Sequence, residues 1–183
     1  MTGDVNNDGL IDLIQGSYST SKGDEFFLNN GTSTPYSNPP IIFATGLNAV
    51  DYALGDVDND GDLDLVEATY NSDATKLYIN DGDNTPFSNG STALVSGTPS
   101  GSSIDLYDFN KDGYLDVIIG TTSISGTGGE HAVVLNNQTS TPFLNVVPIA
   151  AQFQTEILPL INPELTKEMG IKVTSQSRGM SRK

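Results

Sequence analysis

The stretch GDVDNDGDLDLVEATY, residues Gly55–Tyr70, places aspartates at every second position from Asp56 to Asp64 and a glycine, Gly61, inside the run. Two further windows align with it without gaps: GDVNNDGLIDLIQGSY (Gly3–Tyr18) and YDFNKDGYLDVIIGTT (Tyr107–Thr122). Their first aspartates are Asp4, Asp56 and Asp108, so the period is 52 residues in both intervals. A second motif follows each window: FFLNNGTSTPYSN from Phe26, LYINDGDNTPFSN from Leu77 and VVLNNQTSTPFLN from Val133. A fixed period of this length marks an array of supersecondary units. The third unit is longer between its motifs, and Ser125–Gly129 is the loop insertion that accounts for it.

Within the array the pattern is β. Segments such as Leu63–Tyr70 alternate or run apolar over short lengths, and Asn-Gly, Asp-Gly and Thr-Pro clusters close them. No window in residues 1–146 supplies apolar residues at helical spacing. Four short strands fit one period; in the second unit they are expected near Val50–Gly55, Leu63–Tyr70, Lys76–Asn80 and Ala93–Ser96. This is the size of one propeller blade. The expected fold is therefore all-β, with blades of about four antiparallel strands in units of about 1–55, 56–107 and 108–146. Residues 147–183 match no unit. There Asn162 and Pro163 open a short helix over 163–169, and the basic, polar end from Thr174 to Lys183 has the composition of a disordered segment.

Each window contains D-x-[DN]-x-D-G-x-x-D. The first supplies Asp4, Asn6, Asp8 and Asp12, the second Asp56, Asp58, Asp60 and Asp64, and the third Asp108, Asn110, Asp112 and Asp116. Oxygen-only ligands at alternating positions suit a hard cation, Ca²⁺ before Mg²⁺. Gly9, Gly61 and Gly113 permit the sharp turn around the ion. Position 7 is Leu10, Asp62 or Tyr114, free to vary if only its backbone carbonyl binds. Neither His nor Cys occurs in the loops, which disfavours zinc and copper. One Ca²⁺ per loop, about three in all, relieves the repulsion among three or four crowded carboxylates.

Two other readings compete. Asp-Gly alone marks hairpin turns, but three occurrences in register ask for more than a turn. The second loop also fits an EF-hand, with Glu67 at position 12. Position 12 is Gln15 and Ile119 in the other loops, however, and the flanks are β-patterned. Glu67 is therefore expected on the exposed face of its strand.

Composition narrows the partners. The chain has 183 residues and a net charge of −15; residues 1–146 carry 20 acids against 3 bases, residues 147–183 only 3 acids against 5. So acidic a surface will not hold a phosphate backbone or an anionic membrane, and no apolar run is long enough to insert into a bilayer. Cysteine is absent, which removes disulfides and thiolate chemistry. No signal peptide precedes the first acidic motif, so the chain is expected to stay inside the cell or to be a piece of something longer.

These residues resemble the FG-GAP repeats of integrin α-subunit propellers and the related VCBS-type repeats of secreted bacterial proteins. The GDxxxDGxxDL core of the first two windows, its looser form in the third, and the downstream LYxN…TPF segment carry the resemblance over about residues 3–146. It implies a β-propeller in which calcium pins a hairpin, with the ligands named above and the carbonyls of Leu10, Asp62 and Tyr114. It also implies an extracellular or cell-surface setting, with a protein or glycan ligand. Three units cannot close a ring, and the strand that should precede Asp4 is expected to be missing. The chain then belongs to a longer propeller, completes a ring by self-association, or stands as an open arc.

Tyr36, Phe87 and Phe143, each after a Thr-Pro, are expected to pack between blades, and His131 to be a structural or exposed strand residue. No catalytic residue is assigned. Residues 1–146 offer only Lys22, Lys76, Lys111 and His131 as bases, spread over the units, which leaves a binding or adhesion module ahead of an enzyme. A part of a larger secreted carbohydrate-active enzyme, or a repeat remnant without activity, is the alternative.

Overall fold

The computed structural model describes residues 1–19, 21–45, 48–70, 75–82, 85–94, 101–121, 131–143 and 149–151. The expected helix over 163–169, the tail from Thr174 and the insertion Ser125–Gly129 lie outside them. Among the described residues there are strands and turns but no helix.

In the described residues twelve strands form three antiparallel sheets of four, each a simple meander. The first holds β1 (Thr2–Gly3), β2 (Asp12–Gln15), β3 (Gly23–Phe27) and β4 (Ile41–Thr45). The second holds β5 (Ala49–Gly55), β6 (Asp64–Thr69), β7 (Lys76–Tyr78) and β8 (Thr92–Ala93). The third holds β9 (Gly101–Tyr107), β10 (Asp116–Thr121), β11 (His131–Val134) and β12 (Ile149–Ala151). These are blades of a partial propeller that does not close. Each acidic loop joins a blade's first two strands, with Gly3 opposite Asp12, Gly55 opposite Asp64 and Tyr107 opposite Asp116.

Two differences from the sequence reading concern extent. The strand before Asp4 is present: β1 pairs Thr2 with Leu13 and Gly3 with Asp12, and the Met1 ammonium donates to the Ile14 carbonyl at 3.1 Å. A hydrophobic pattern cannot reveal a two-residue strand held mainly by backbone bonds. The third blade also runs past residue 146, because β12 lies beside β11 with Ile149 opposite Val133.

Two apolar seams hold the blades together. Between the first and second blades lie Val5, Ile14, Phe26, Leu65, Tyr78 and Phe87. Between the second and third lie Val57, Val66, Leu77, Val117, Ile119 and Phe143, among others. β6, in the middle blade, is covered on both faces, and all six of its residues are buried. Glu67 is therefore not exposed as expected; it is 0 % exposed. Alternation predicts an exposed face only for a strand with one covered side.

The glycine before the loop aspartate has a packing role. A Cβ on Gly3 would stand 2.8 Å from Leu54 Cδ1, and one on Gly55 2.9 Å from Leu106 Cδ1. Leu54 and Leu106 hold equivalent places in successive blades, so each seam needs a bare backbone in front of its leucine. The third blade has Tyr107 there, 56 % exposed and stacked on Phe109 with ring centroids 5.3 Å apart.

Phe87 and Phe143 fill the seams as expected, 2 % and 3 % exposed, each with φ of 66°. Tyr36 does not: it is 36 % exposed, and its hydroxyl donates to the Ile11 carbonyl at 2.9 Å within its own blade. Among the described residues no sheet lies beyond the first blade to receive it. Phe87→Ala is therefore expected to cost about 3–5 kcal/mol in chemical denaturation and Tyr36→Ala only about 1 kcal/mol; equal losses would contradict the seam assignment.

Candidate metal centre

The three loops share one hydrogen-bond plan. In the first, Asp4 accepts the backbone N–H groups of Asp8 at 3.1 Å and Gly9 at 2.8 Å, and Asp8 accepts that of Leu10 at 2.8 Å. In the second, Asp56 accepts from Asp60 at 3.1 Å and Gly61 at 3.0 Å, and Asp60 from Asp62 at 2.9 Å. In the third, Asp108 accepts from Asp112 at 3.0 Å and Gly113 at 2.9 Å, and Asp112 from Tyr114 at 3.0 Å. Asn7, Asn59 and Lys111 at position 4 have φ of 56°, 61° and 61°, and Gly9, Gly61 and Gly113 have 85°, 99° and 92°. Two left-handed residues so close together coil the chain back over the first aspartate.

The aspartate at position 9 closes each loop from below. Asp12, Asp64 and Asp116 are all 0 % exposed. Asp64 accepts from Val57 N–H and Asn80 N–H, both at 2.9 Å. Asp12 accepts from Val5 at 3.1 Å and Asn29 at 2.8 Å; Asp116 from Phe109 at 2.9 Å and Asn136 at 2.8 Å. Burial nevertheless raises all three carboxyls, Asp64 to about 7, against the pull of those N–H groups. Each carries more negative charge than its donors satisfy.

The second loop brings three acids together. Ligand atoms of Asp56, Asp58 and Asp64 lie within 4.8 Å of one another. Asp58 Oδ1 is buried and accepts no hydrogen bond, and burial, then Asp60 and Asp56, raises its carboxyl. In the other two loops Asn6 and Asn110 stand at this position and donate to Asp8 at 3.1 Å and Asp112 at 2.8 Å. Asp58 has no N–H with which to do the same. Asp112 is the exception in direction: the Gln138 side chain, donating at 2.8 Å, helps to hold it below the usual carboxylate range.

Of the side chains expected to ligate, the structure thus gathers Asp56, Asp58 and Asp64, holds Asp60 beside them, and repeats the frame with Asp4, Asn6, Asp8 and Asp12 and with Asp108, Asn110, Asp112 and Asp116. The N–H groups of Leu10, Asp62 and Tyr114 are fixed by position 5, which sets their peptides in the loop. The Asp62 side chain is taken by the neighbouring blade, where Asn7 Nδ2 donates to its Oδ1 at 2.5 Å.

The asparagine two residues past each third strand escaped the sequence reading. Asn80 Nδ2 donates to the Val5 carbonyl at 2.7 Å in the preceding blade's loop and to Leu63 at 3.2 Å in its own. Asn136 repeats this on Val57 at 2.7 Å and Leu115 at 3.0 Å. Asn29 Nδ2 donates within its own blade, to the Ile11 carbonyl at 3.0 Å, and among the described residues to no other blade. The signal was present, since Asn29, Asn80 and Asn136 recur at one place in the LN, IN and LN pairs of the second motif.

The family model described as FG-GAP-like repeat matches this chain at residues 4–67 and 66–119, together more than half of its length. No curated protein matches it.

Asn80→Ala would strip donors from two carbonyls in different blades. It is expected to cost about 3 kcal/mol, against about 1 kcal/mol for Asn29→Ala. Urea unfolding of both variants checks this; equal losses would contradict the inter-blade role of Asn80.

Proposed function

We propose that this chain, which belongs to the FG-GAP-like repeat family, is a calcium-stabilised propeller module that binds an extracellular protein or glycan through its blade loops. The observation that carries the calcium reading is the buried Asp58 Oδ1, unpartnered in a cluster with Asp56 and Asp64. The donors are all carboxylate, amide and backbone oxygens, which fits a hard cation and not zinc or copper. Bound calcium supplies positive charge that offsets the crowded acids. The ligands are Asp4, Asn6, Asp8 and Asp12, Asp56, Asp58, Asp60 and Asp64, and Asp108, Asn110, Asp112 and Asp116, with the carbonyls of Leu10, Asp62 and Tyr114. Each aspartate at position 9 links the ion to the sheet.

A stabilising rather than catalytic role follows from where the carboxylates are spent. On this reading their oxygens are taken up by loop N–H groups and the ion, and Lys22, Lys76 and Lys111 sit in three different blades. Extracellular placement rests on what is usual for this family, and the acidic composition argues against nucleic acid as a partner. Among the described residues no helix is long and apolar enough to cross a membrane. Further blades, in a longer chain or a second copy, belong to this reading because three sheets leave the ring open.

Calorimetric titration of chelator-stripped protein with CaCl₂ tests the metal reading. Binding is expected to weaken as the pH falls from 8 through about 7, where Asp64 takes up a proton in the absence of the ion. Asp58→Ala is expected to remove one site while Asp81→Ala leaves all of them. Unchanged heats in Asp58→Ala would refute the assignment.

A further inference from the structure

The seam between the first two blades contains a second group of acids, remote from the loops' hydrogen-bond frame. Asp24 on β3 of the first blade is 1 % exposed, and Glu67 on β6 of the second is 0 % exposed. One oxygen of each is occupied: Ser17 N–H donates to Asp24 Oδ1 at 2.7 Å, and the Tyr78 hydroxyl donates to Glu67 Oε2 at 2.7 Å. The other two, Asp24 Oδ2 and Glu67 Oε1, are buried and without a donor. The two carboxyls face each other across the seam, and the Tyr52 hydroxyl near Asp24 is likewise buried without a partner.

The fold does not require acids here. In the next seam the places of Glu67 and Tyr52 are taken by Ile119 and Ile104, and that of Asp24 by Thr75. Both isoleucines are buried in an apolar core. The same architecture is therefore built once with two isoleucines and a threonine and once with two carboxyls that can only accept if both are ionised. The charged and titratable groups facing the pair are Tyr52 on β5 and Tyr78 and Lys76 on β7; Lys76 lies opposite Glu67 in the ladder. One ammonium cannot balance two buried carboxylates, whereas one proton placed between them balances the charge and supplies the missing donor.

We propose that Asp24 and Glu67 bind a single shared proton, which makes the seam between the first and second blades a latch that holds while the proton is bound and loosens when it is lost. The pair is the same in either proton position: a carboxylic acid on one side donates to a carboxylate on the other. Burial pushes Glu67 up to about 7, with the Tyr78 hydroxyl opposing, and raises Asp24 against the pull of Ser17 N–H. Burial raises both tyrosines as well, so they stay neutral donors. The folded chain thus holds a proton that the unfolded chain has released above about pH 4.5. The latch contributes fully below that pH and is lost as the pH rises through about 7.

The test is urea unfolding of the full chain in saturating CaCl₂ from pH 5 to 8.5, beside Glu67→Gln, whose amide donates to Asp24 without a titrating proton. Relative to that variant, the parent is expected to lose up to about tenfold in its folding equilibrium per pH unit below about pH 7. Parallel curves would overturn the proposal. A curve set by sodium or potassium concentration at fixed pH would also overturn it, by placing a metal ion between the acids. Should Glu67→Gln not fold, the infrared spectrum of the folded parent decides: a protonated carboxyl band at pH 6 that is absent from Asp24→Asn supports the shared proton, and no such band refutes it.

Discussion

A carboxylate taken fully out of water must be met by donors, and this molecule buries one under every loop. Asp12, Asp64 and Asp116 are inaccessible to solvent, and each draws an N–H from the loop above and another from the asparagine just past the third strand. Leaving such a group unpaired costs several kcal/mol. Loop, second strand and third strand therefore cannot be placed independently. The same asparagine extends the constraint outward, because in the second and third blades its amide grips the carbonyl of the preceding blade's loop. Through these bonds the organisation of a loop is communicated to its blade and then to the blade beside it.

The same logic explains why a cation suits the loops better than more hydrogen bonds. The frame already uses the nearby N–H groups of positions 5, 6 and 7, yet burial still raises Asp64 and Asp58. In the second loop the acid at position 3 has no side-chain N–H to offer its neighbours, so Asp58 Oδ1 is left over. The acid pair in the first seam poses the problem again at a place with no loop around it, and a proton is the smaller answer. On the proposed reading, one chain uses two kinds of positive charge to keep buried carboxylates inside a β-sheet protein.

Much of this was readable in the residues. The period of 52 residues places the loops, and Gly55 and Asp64 open and close a hairpin whose strands fall where alternation puts them. Glu67 was misread because alternation assumes one wet face, and a strand between two blades has none. Asn80 was missed for a different reason: a neutral amide inside an apolar motif has no charge to draw attention, and its value lies in a carbonyl 75 residues away. Tyr36 and Phe87 look alike in sequence, but among the described residues only Phe87 has a neighbouring blade to enter. Such differences depend on which sheet stands beside which, and no local pattern carries that.

The central claim is that three equivalent loops organise the blades around bound calcium, and native mass spectrometry of the intact chain tests it most directly. Spectra taken in calcium and after chelation should differ by three ions per chain, with the stripped protein showing the broader charge-state distribution of an opened fold. A spectrum with no bound calcium, or with a single ion confined to the second loop, would contradict the account.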